Sequence, residues 1–384
     1  MLLPKGLSKY LFRKQAYFMG EKREIGILTF HNACNYGAFL QTKALKDKIS
    51  EYPDTEVYII DYRNQNIVND YSIAGIFRLS KGMKITFLKI LRLKDIIRRN
   101  RLFSEFQARN FNYIPFHDKN RIECFNKVIV GSDQVWGMHL TGNDETYFLP
   151  FVEPNKRVSY AASAGSVDED FPIEVFEKNL KDFAKISVRE TELYLKLCKI
   201  GVADKLTVCV DPVFLKSKTE WIGYAGKQPL LHKPYLLIFI MGVSNQADCI
   251  VNRAIQIGKN YGYKVILLGD QERWYKYTNV RHYGVASPKE FINLIENAKC
   301  VFTNSFHATS FSIILNTPFY IEMNIKNSGR LSSLLQITGL ESRKMFNGEL
   351  ETLYTEIINW DCVKEKMNVE IQKSCKYIEN IIFE

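Results

Sequence analysis

The 384-residue chain lacks most of the patterns that assign a function at sight. No uninterrupted apolar stretch approaches the ~20 residues that a membrane-spanning helix needs. No G-x-G-x-x-G, P-loop, H-E-x-x-H or G-x-S-x-G is present, so the familiar nucleotide, zinc-protease and esterase devices are without support. The eight cysteines form no C-x-x-C pair, and several sit in apolar runs such as Val208-Cys209-Val210 and Cys300-Val301-Phe302. Free thiols in a reducing compartment fit this better than a disulfide framework or a zinc site, and no metal is expected. There is no 20–50-residue repeat and no low-complexity tract, which sets aside solenoids and disordered linkers. The opening Met1-Leu-Leu-Pro-Lys-Gly6 carries no apolar run of signal-peptide length, so a cytoplasmic protein is expected.

What is present is globular. Hydrophobic residues make up 46% and charged residues 24% of the chain, close to the average for a folded soluble domain. The length suggests two domains, and the formal net charge is +10. Short β-branched or aromatic runs alternate with helical stretches. Strands are predicted at 25–30, 57–62, 127–131, 158–162, 186–188 and 206–210, and after a break at 235–241, 263–268, 300–303 and 319–322. Helices are predicted at 38–49, 174–183, 191–200, 247–260, 288–297 and 308–315, with final helices at 353–360 and 364–382. Alternating strand and helix implies parallel sheets covered on both faces. The expected fold is α/β, with two Rossmann-like domains at 1–215 and 216–384 joined through a strandless connector at 216–234. The last helices are expected to pack back on the first domain.

One segment departs from this pattern. Residues 78–101, RLSKGMKITFLKILRLKDIIRRNR, hold nine Lys or Arg against the single acid Asp95, with apolar residues at Ile85, Leu88, Leu91, Ile96 and Ile97. Two readings stand side by side: a basic amphipathic helix lying on an anionic membrane surface, or a surface helix packed on the first domain. Nucleic-acid binding is a third, without any recognition motif to accompany it.

Ligands of open parallel sheets bind beyond the carboxyl ends of the strands, so the loops there carry the candidates. The first, His31-Asn-Ala-Cys-Asn-Tyr-Gly37, offers His31, Asn32 and Asn35 at a helix start, as ligand contacts or as a capped turn. The second, Gly131-Ser-Asp-Gln-Val-Trp136, offers Asp133 and Gln134; Asp133 is either a general base toward a hydroxyl or a helix cap. The third, Ser159 to Gly165, contains Ser163 among small residues. The fourth, Ser187-Val-Arg-Glu190, places Arg189 where it can grip a carboxylate or phosphate, or merely pair with Glu190 at the surface. The fifth, Thr303-Asn-Ser-Phe-His-Ala-Thr-Ser310, places Asn304 and Ser305 before a helix whose first turn holds His307. An Asp168-Glu-Asp170 triplet matches a metal-binding D-x-D but is common in polar loops.

Taken together these loops resemble the polysaccharide pyruvyl transferase family. The matching pieces are Gly26 to Gln41, Gly131-Ser-Asp-Gln-Val-Trp136, Ser159-Tyr-Ala-Ala-Ser-Ala-Gly165 and Ile186-Ser-Val-Arg-Glu190. They continue with Val210-Asp-Pro-Val-Phe-Leu215, Thr303-Asn-Ser-Phe-His307, Gly329-Arg-Leu-Ser-Ser-Leu-Leu335 and Gly339-Leu-Glu-Ser-Arg343. The resemblance implies a glycosyltransferase-B-like fold with its active site in the interdomain cleft. It also implies transfer of pyruvate from phosphoenolpyruvate to two hydroxyls of a sugar, closing a cyclic ketal and releasing phosphate. The chemistry of such a donor would make His307 the acid or the donor of a proton to phosphate, Asp133 the base toward the acceptor, and Arg189 and Arg330 the anion cage, with Asn304 and Ser305 on the donor side. His31, Asn32, Asn35, Gln134 and Ser163 would face the acceptor. Some members carry an Arg where this chain has Ser305, and Arg330 or Arg343 would then supply the missing charge. No cofactor beyond the donor is implied. The expected acceptor is a lipid-linked oligosaccharide of a surface polysaccharide, met at the inner face of the membrane through the basic segment. Two rivals remain: a nucleotide-sugar glycosyltransferase on the same fold, and a non-catalytic glycan binder.

Overall fold

The computed structural model describes residues 22–71, 93–165, 167, 170–242, 247–269, 276–323, 328–345 and 357–384. Twelve strands form two sheets. The first comprises β1 (Arg23–Leu28), β2 (Thr55–Asp61), β3 (Tyr113–Pro115), β4 (Lys127–Asp133), β5 (Arg157–Ala162), β6 (Ile186–Val188) and β7 (Leu206–Val208), in the order β3-β2-β1-β4-β5-β6-β7. The second comprises β8 (Tyr235–Phe239), β9 (Lys264–Leu268), β10 (Arg281–Tyr283), β11 (Cys300–Thr303) and β12 (Phe319–Ile321), in the order β10-β9-β8-β11-β12. Every pairing between these strands is parallel.

The central strands are apolar throughout because helices cover both faces. Ile25, Ile27 and Leu28 on β1 and Val128, Ile129 and Val130 on β4 are essentially without exposed surface. The main helices are α1 (Tyr36–Ser50), α2 (Leu93–Asn110), α3 (Ile173–Leu180), α4 (Thr191–Leu197), α5 (Lys218–Ala225), α6 (Ala247–Tyr261), α7 (Pro288–Glu296), α8 (Phe306–Leu315), α9 (Ser328–Thr338) and α10 (Trp360–Phe383). Strand order reverses between β1 and β4 in one sheet and between β8 and β11 in the other. At such a switch point the adjacent loops diverge and leave a crevice at the carboxyl edge.

The two sheets share a core. One apolar cluster runs from Leu28 and Phe39 beneath the first sheet to Phe239, Phe291 and Phe311 against the second. The connector at 216–234 contains no strand but does hold α5, started by a capping box between Ser217 and Glu220 and anchored by buried Trp221. Helix α10 returns to the first sheet: Tyr377 donates to the Ser159 carbonyl at 2.9 Å, and the Ser374 hydroxyl accepts from the Val210 N–H at 3.0 Å.

Residues 78–92 of the basic segment and residues 353–356 of the predicted 353–360 helix lie outside the described residues, as do Asp168 and Glu169. The rest of the basic segment opens α2, which buries Ile96, Phe103 and Phe106 while Ile97 is exposed. Arg98 faces Glu290 of the second domain at 4.0 Å. Among the described residues no helix is long and apolar enough to cross a membrane, and no group of three His, Cys, Asp or Glu could hold a metal ion.

Candidate active site

The carboxyl edges of the two sheets face each other, and the residues at their strand ends converge on one carboxylate. Asp211 follows β7 and is fully buried; its Oδ1 accepts from the Val213 N–H at 3.1 Å and so starts the turn Pro212–Leu215. Its Oδ2 lies 2.5 Å from Arg189 Nη1, at the end of β6, and 3.4 Å from His307 Nε2, in the first turn of α8. Arg189 belongs to the first sheet and His307 to the second, so a single oxygen ties the two domains' candidate residues together.

Further charges surround this pair. Arg189 also lies 3.9 Å from Asp133 and 3.8 Å from Glu190, and its guanidinium covers the Phe306 ring at 4.6 Å. Arg330, near the start of α9, stands 5.8 Å from the centre of the same ring, also in cation–π range of it. Burial opposes the Arg189 charge, but Asp211, Glu190 and Asp133 outweigh it and raise its pKa. For Arg330, burial and then the neighbouring Arg189 prevail and lower the guanidinium to about 10, still protonated at neutral pH. Burial also works to raise Asp211, yet His307, Arg189 and the Val213 N–H together hold it well below the usual carboxylate range. Glu190 goes the other way: burial pushes its carboxyl up against the pull of Arg189, Arg330 and the Ser163 hydroxyl.

Several polar atoms here have no hydrogen-bond partner although they are buried: Arg189 Nε and Nη2, Glu190 Oε2 and His307 Nε2. Each such atom costs about 1–3 kcal/mol. Their concentration in one place marks a site built to receive another polar group. The adjoining cavity is lined by Arg189, Asp211, Phe306, Arg330, Ser333 and Met367 and measures about 30 Å³. That is room for a water or two; a larger guest requires side chains or domains to move apart.

The remaining candidates divide. Asp133 sits at φ 78°, a left-handed conformation that only a well-held non-glycine residue keeps, and its Oδ1 accepts from the Gln134 N–H at 2.9 Å. The Gln134 amide rests on Gly165, where a Cβ would fall 2.1 Å from Nε2. Ser163 donates to Glu190, which is buried, so the alternative of an Arg189–Glu190 pair at the surface does not hold. Asn304 bridges both backbone groups of Met241 beyond β8, at 2.7 and 3.0 Å, and Ser305 caps α8. Asn35 caps α1 by accepting from the Gly37 N–H at 2.8 Å. His31 is buried, with Nδ1 at 3.1 Å from the Thr29 carbonyl and Nε2 at 2.9 Å from Asp61, so both ring nitrogens are engaged; Asn32 is half-buried beside it. Arg343 is buried against Tyr320, whose hydroxyl accepts from it at 3.2 Å. Two members of the cluster, Asp211 and Glu190, were not singled out from sequence. The signal for Asp211 was its place directly after a strand and before Pro212, equivalent to that of the other candidates.

Two parallel α/β domains with facing carboxyl edges and a terminal helix crossing back define a two-domain protein of glycosyltransferase-B-like architecture. Solved structures agree on the fold. The UDP-GlcNAc 2-epimerase of Methanocaldococcus jannaschii, in complex with UDP-GlcNAc and UDP, superposes with a TM-score of 0.53 at 12% identity, covering 93% of this chain and 98% of its own. The S. aureus MnaA–UDP co-structure gives 0.51 at 10% identity, with 94% and 98% covered. No curated protein sequence matches the chain. The chain belongs to the polysaccharide pyruvyl transferase family, whose model matches residues 35–322.

Proposed function

We propose that the protein transfers pyruvate from phosphoenolpyruvate to two hydroxyls of a sugar in a surface polysaccharide or its lipid-linked precursor. The observation that carries this reading is the convergence of Arg189 and His307 on one point, with Arg330 beside the aromatic ring that Arg189 covers. A donor with a carboxylate and a phosphate needs cations and N–H donors around it. Family membership supports a polysaccharide-modifying transferase.

The chemistry follows from the donor. A proton delivered to the methylene carbon turns the enol ester into an oxocarbenium-like centre. One sugar hydroxyl attacks that carbon and gives up its proton. The C–O bond to phosphate then breaks, and the second hydroxyl closes the ketal, its proton leaving with phosphate. Two hydroxyl protons are lost, one replacing that delivered to the methyl group and one carried by phosphate. His307 is the proposed acid and Asp133 the base toward the acceptor. Arg189 and Arg330 hold the donor, while Asn304 and Ser305 shape its loop. Gln134 and Ser163, with His31, Asn32 and Asn35, build the acceptor side. The reaction requires donor and acceptor and no coenzyme. The basic segment 78–101 would bring the enzyme to an anionic membrane surface carrying the acceptor.

The experiment is phosphate release from phosphoenolpyruvate with candidate acceptors, comparing wild type with His307→Ala and Arg189→Ala. Loss of a catalytic acid lowers the rate ~10²–10⁴-fold. Wild-type rates in both variants would remove the assignment. Thermal stabilisation by a nucleotide-sugar and not by phosphoenolpyruvate would favour a glycosyltransferase instead. A folded protein that releases no phosphate with any acceptor would favour a glycan binder. Co-sedimentation with anionic vesicles at low salt tests the membrane contact.

A further inference from the structure

We infer that Asp211 is a positioning residue that takes the place of the donor's anion whenever no donor is bound, holding Arg189 and His307 around one point at the expense of donor affinity. This rests on the reading that an anionic donor docks at those two side chains.

The local fold needs only half of this carboxylate. Oδ1 caps the turn after β7, a task that Asn, Ser or Thr performs as well. Oδ2 takes no part in the cap and faces Arg189 and His307, two side chains from different domains. A guanidinium offers five N–H donors, and here the Asp211 contact leaves Nε and Nη2 of Arg189 without a hydrogen bond. His307 Nε2 is likewise placed by the carboxylate without a formed hydrogen bond. Asp211 therefore sets the direction of both groups while leaving donors for an incoming anion.

The same charge repels that anion. Asp133 and Glu190 add two further acids beside Arg189, against Arg330 as the second guanidinium. Three carboxylates against two guanidiniums leave the cluster without a net positive charge from these groups. A donor must outcompete a resident carboxylate for Arg189. Removing that charge should improve anion binding and damage turnover together, a split that a purely structural residue does not produce.

The test is isothermal titration of inorganic phosphate and of phosphoenolpyruvate into wild type and Asp211→Asn, with steady-state phosphate release. A unit charge within ~5 Å at an effective dielectric near 20 is worth more than one factor of ten. Both anions should bind the variant at least roughly tenfold more tightly, while kcat falls on the order of 10²-fold. A folded variant with unchanged or weaker phosphate binding overturns the proposal. Stability gives a second readout, because phosphate replaces the missing charge: its addition should raise the Tm of Asp211→Asn more than that of wild type. Equal rises, or a variant that stays unfolded at every phosphate concentration, assign Asp211 to structure alone and also overturn it. If phosphoenolpyruvate is silent on wild type while phosphate shows the split, the donor reading fails and the role of Asp211 stands.

Discussion

The imidazole of His307 rests directly on Gly37, so close that a Cβ at residue 37 would fall 1.9 Å from Nδ1. The contact joins the start of α8 in one domain to the start of α1 in the other. Only a residue without a side chain allows it. Gly37→Ala must therefore push the imidazole off Asp211 or the domains apart. Phosphate release from phosphoenolpyruvate should drop ~10²-fold or more, as for loss of the acid itself. Thermal unfolding should shift much less than this, because the helix itself gains from alanine. An active Gly37→Ala enzyme would separate His307 from the chemistry.

Tyr36, the preceding residue, crosses the domain boundary. Its ring stacks on Phe291 at 4.5 Å and 9°, and its hydroxyl accepts from the Ala286 N–H at 3.1 Å. Tyr36→Phe should cost about 1 kcal/mol through the lost hydrogen bond, and Tyr36→Ala roughly 2–4 kcal/mol through the lost ring. Denaturant unfolding measures both. Small-angle scattering should show a larger radius for the alanine variant, since this ring bridges the lobes.

The strands with both faces buried were legible because their β-branched runs have no other use, and parallel order followed from the helices between them. Edge strands β3 and β10 were not legible. Three residues such as Arg281-His-Tyr283 carry no apolar run, and their place in the sheet comes from the neighbour they add to. The candidate loops could be found because strand ends are where ligands bind. Their internal bonds could not. Asn35, Tyr36 and Gly37 read as a polar βα turn, yet they cap a helix, bridge the lobes and admit His307. A surface pair of Arg189 and Glu190 stayed open as an alternative because adjacency in sequence says nothing about burial. The facing residue, Arg330, is 140 positions away.

His31 and Asp61 make an acid-sensitive link in the first domain. The hydrogen bond from His31, against partial burial and with help from Arg63, holds the Asp61 carboxyl well below its usual range. A depressed carboxylate adds stability above its unfolded value near 3.9, and that stability is lost as pH falls toward the folded value. His31→Asn should weaken this contribution. Its unfolding free energy should lie about 1–3 kcal/mol below wild type at pH 7, with a shallower decline below pH 4. Parallel acid limbs in the two proteins would contradict the link.

Glu190 reverses that sign. Its carboxyl is raised by burial, so the folded state holds the proton more tightly than the unfolded chain does. The stabilisation is complete below the ordinary value near 4.3 and is lost as pH rises through the raised value. Glu190→Gln mimics the protonated form and keeps the contact to Ser163. Its Tm should match wild type in acid and exceed it once the pH has risen through the raised value, where wild type acquires a buried charge. A lower Tm at pH 7 would instead mean that attraction to Arg189 and Arg330 outweighs burial. The substitution has a consequence for the donor: a neutral side chain at position 190 leaves Arg330 less compensated, and so better able to receive an anion beside Phe306.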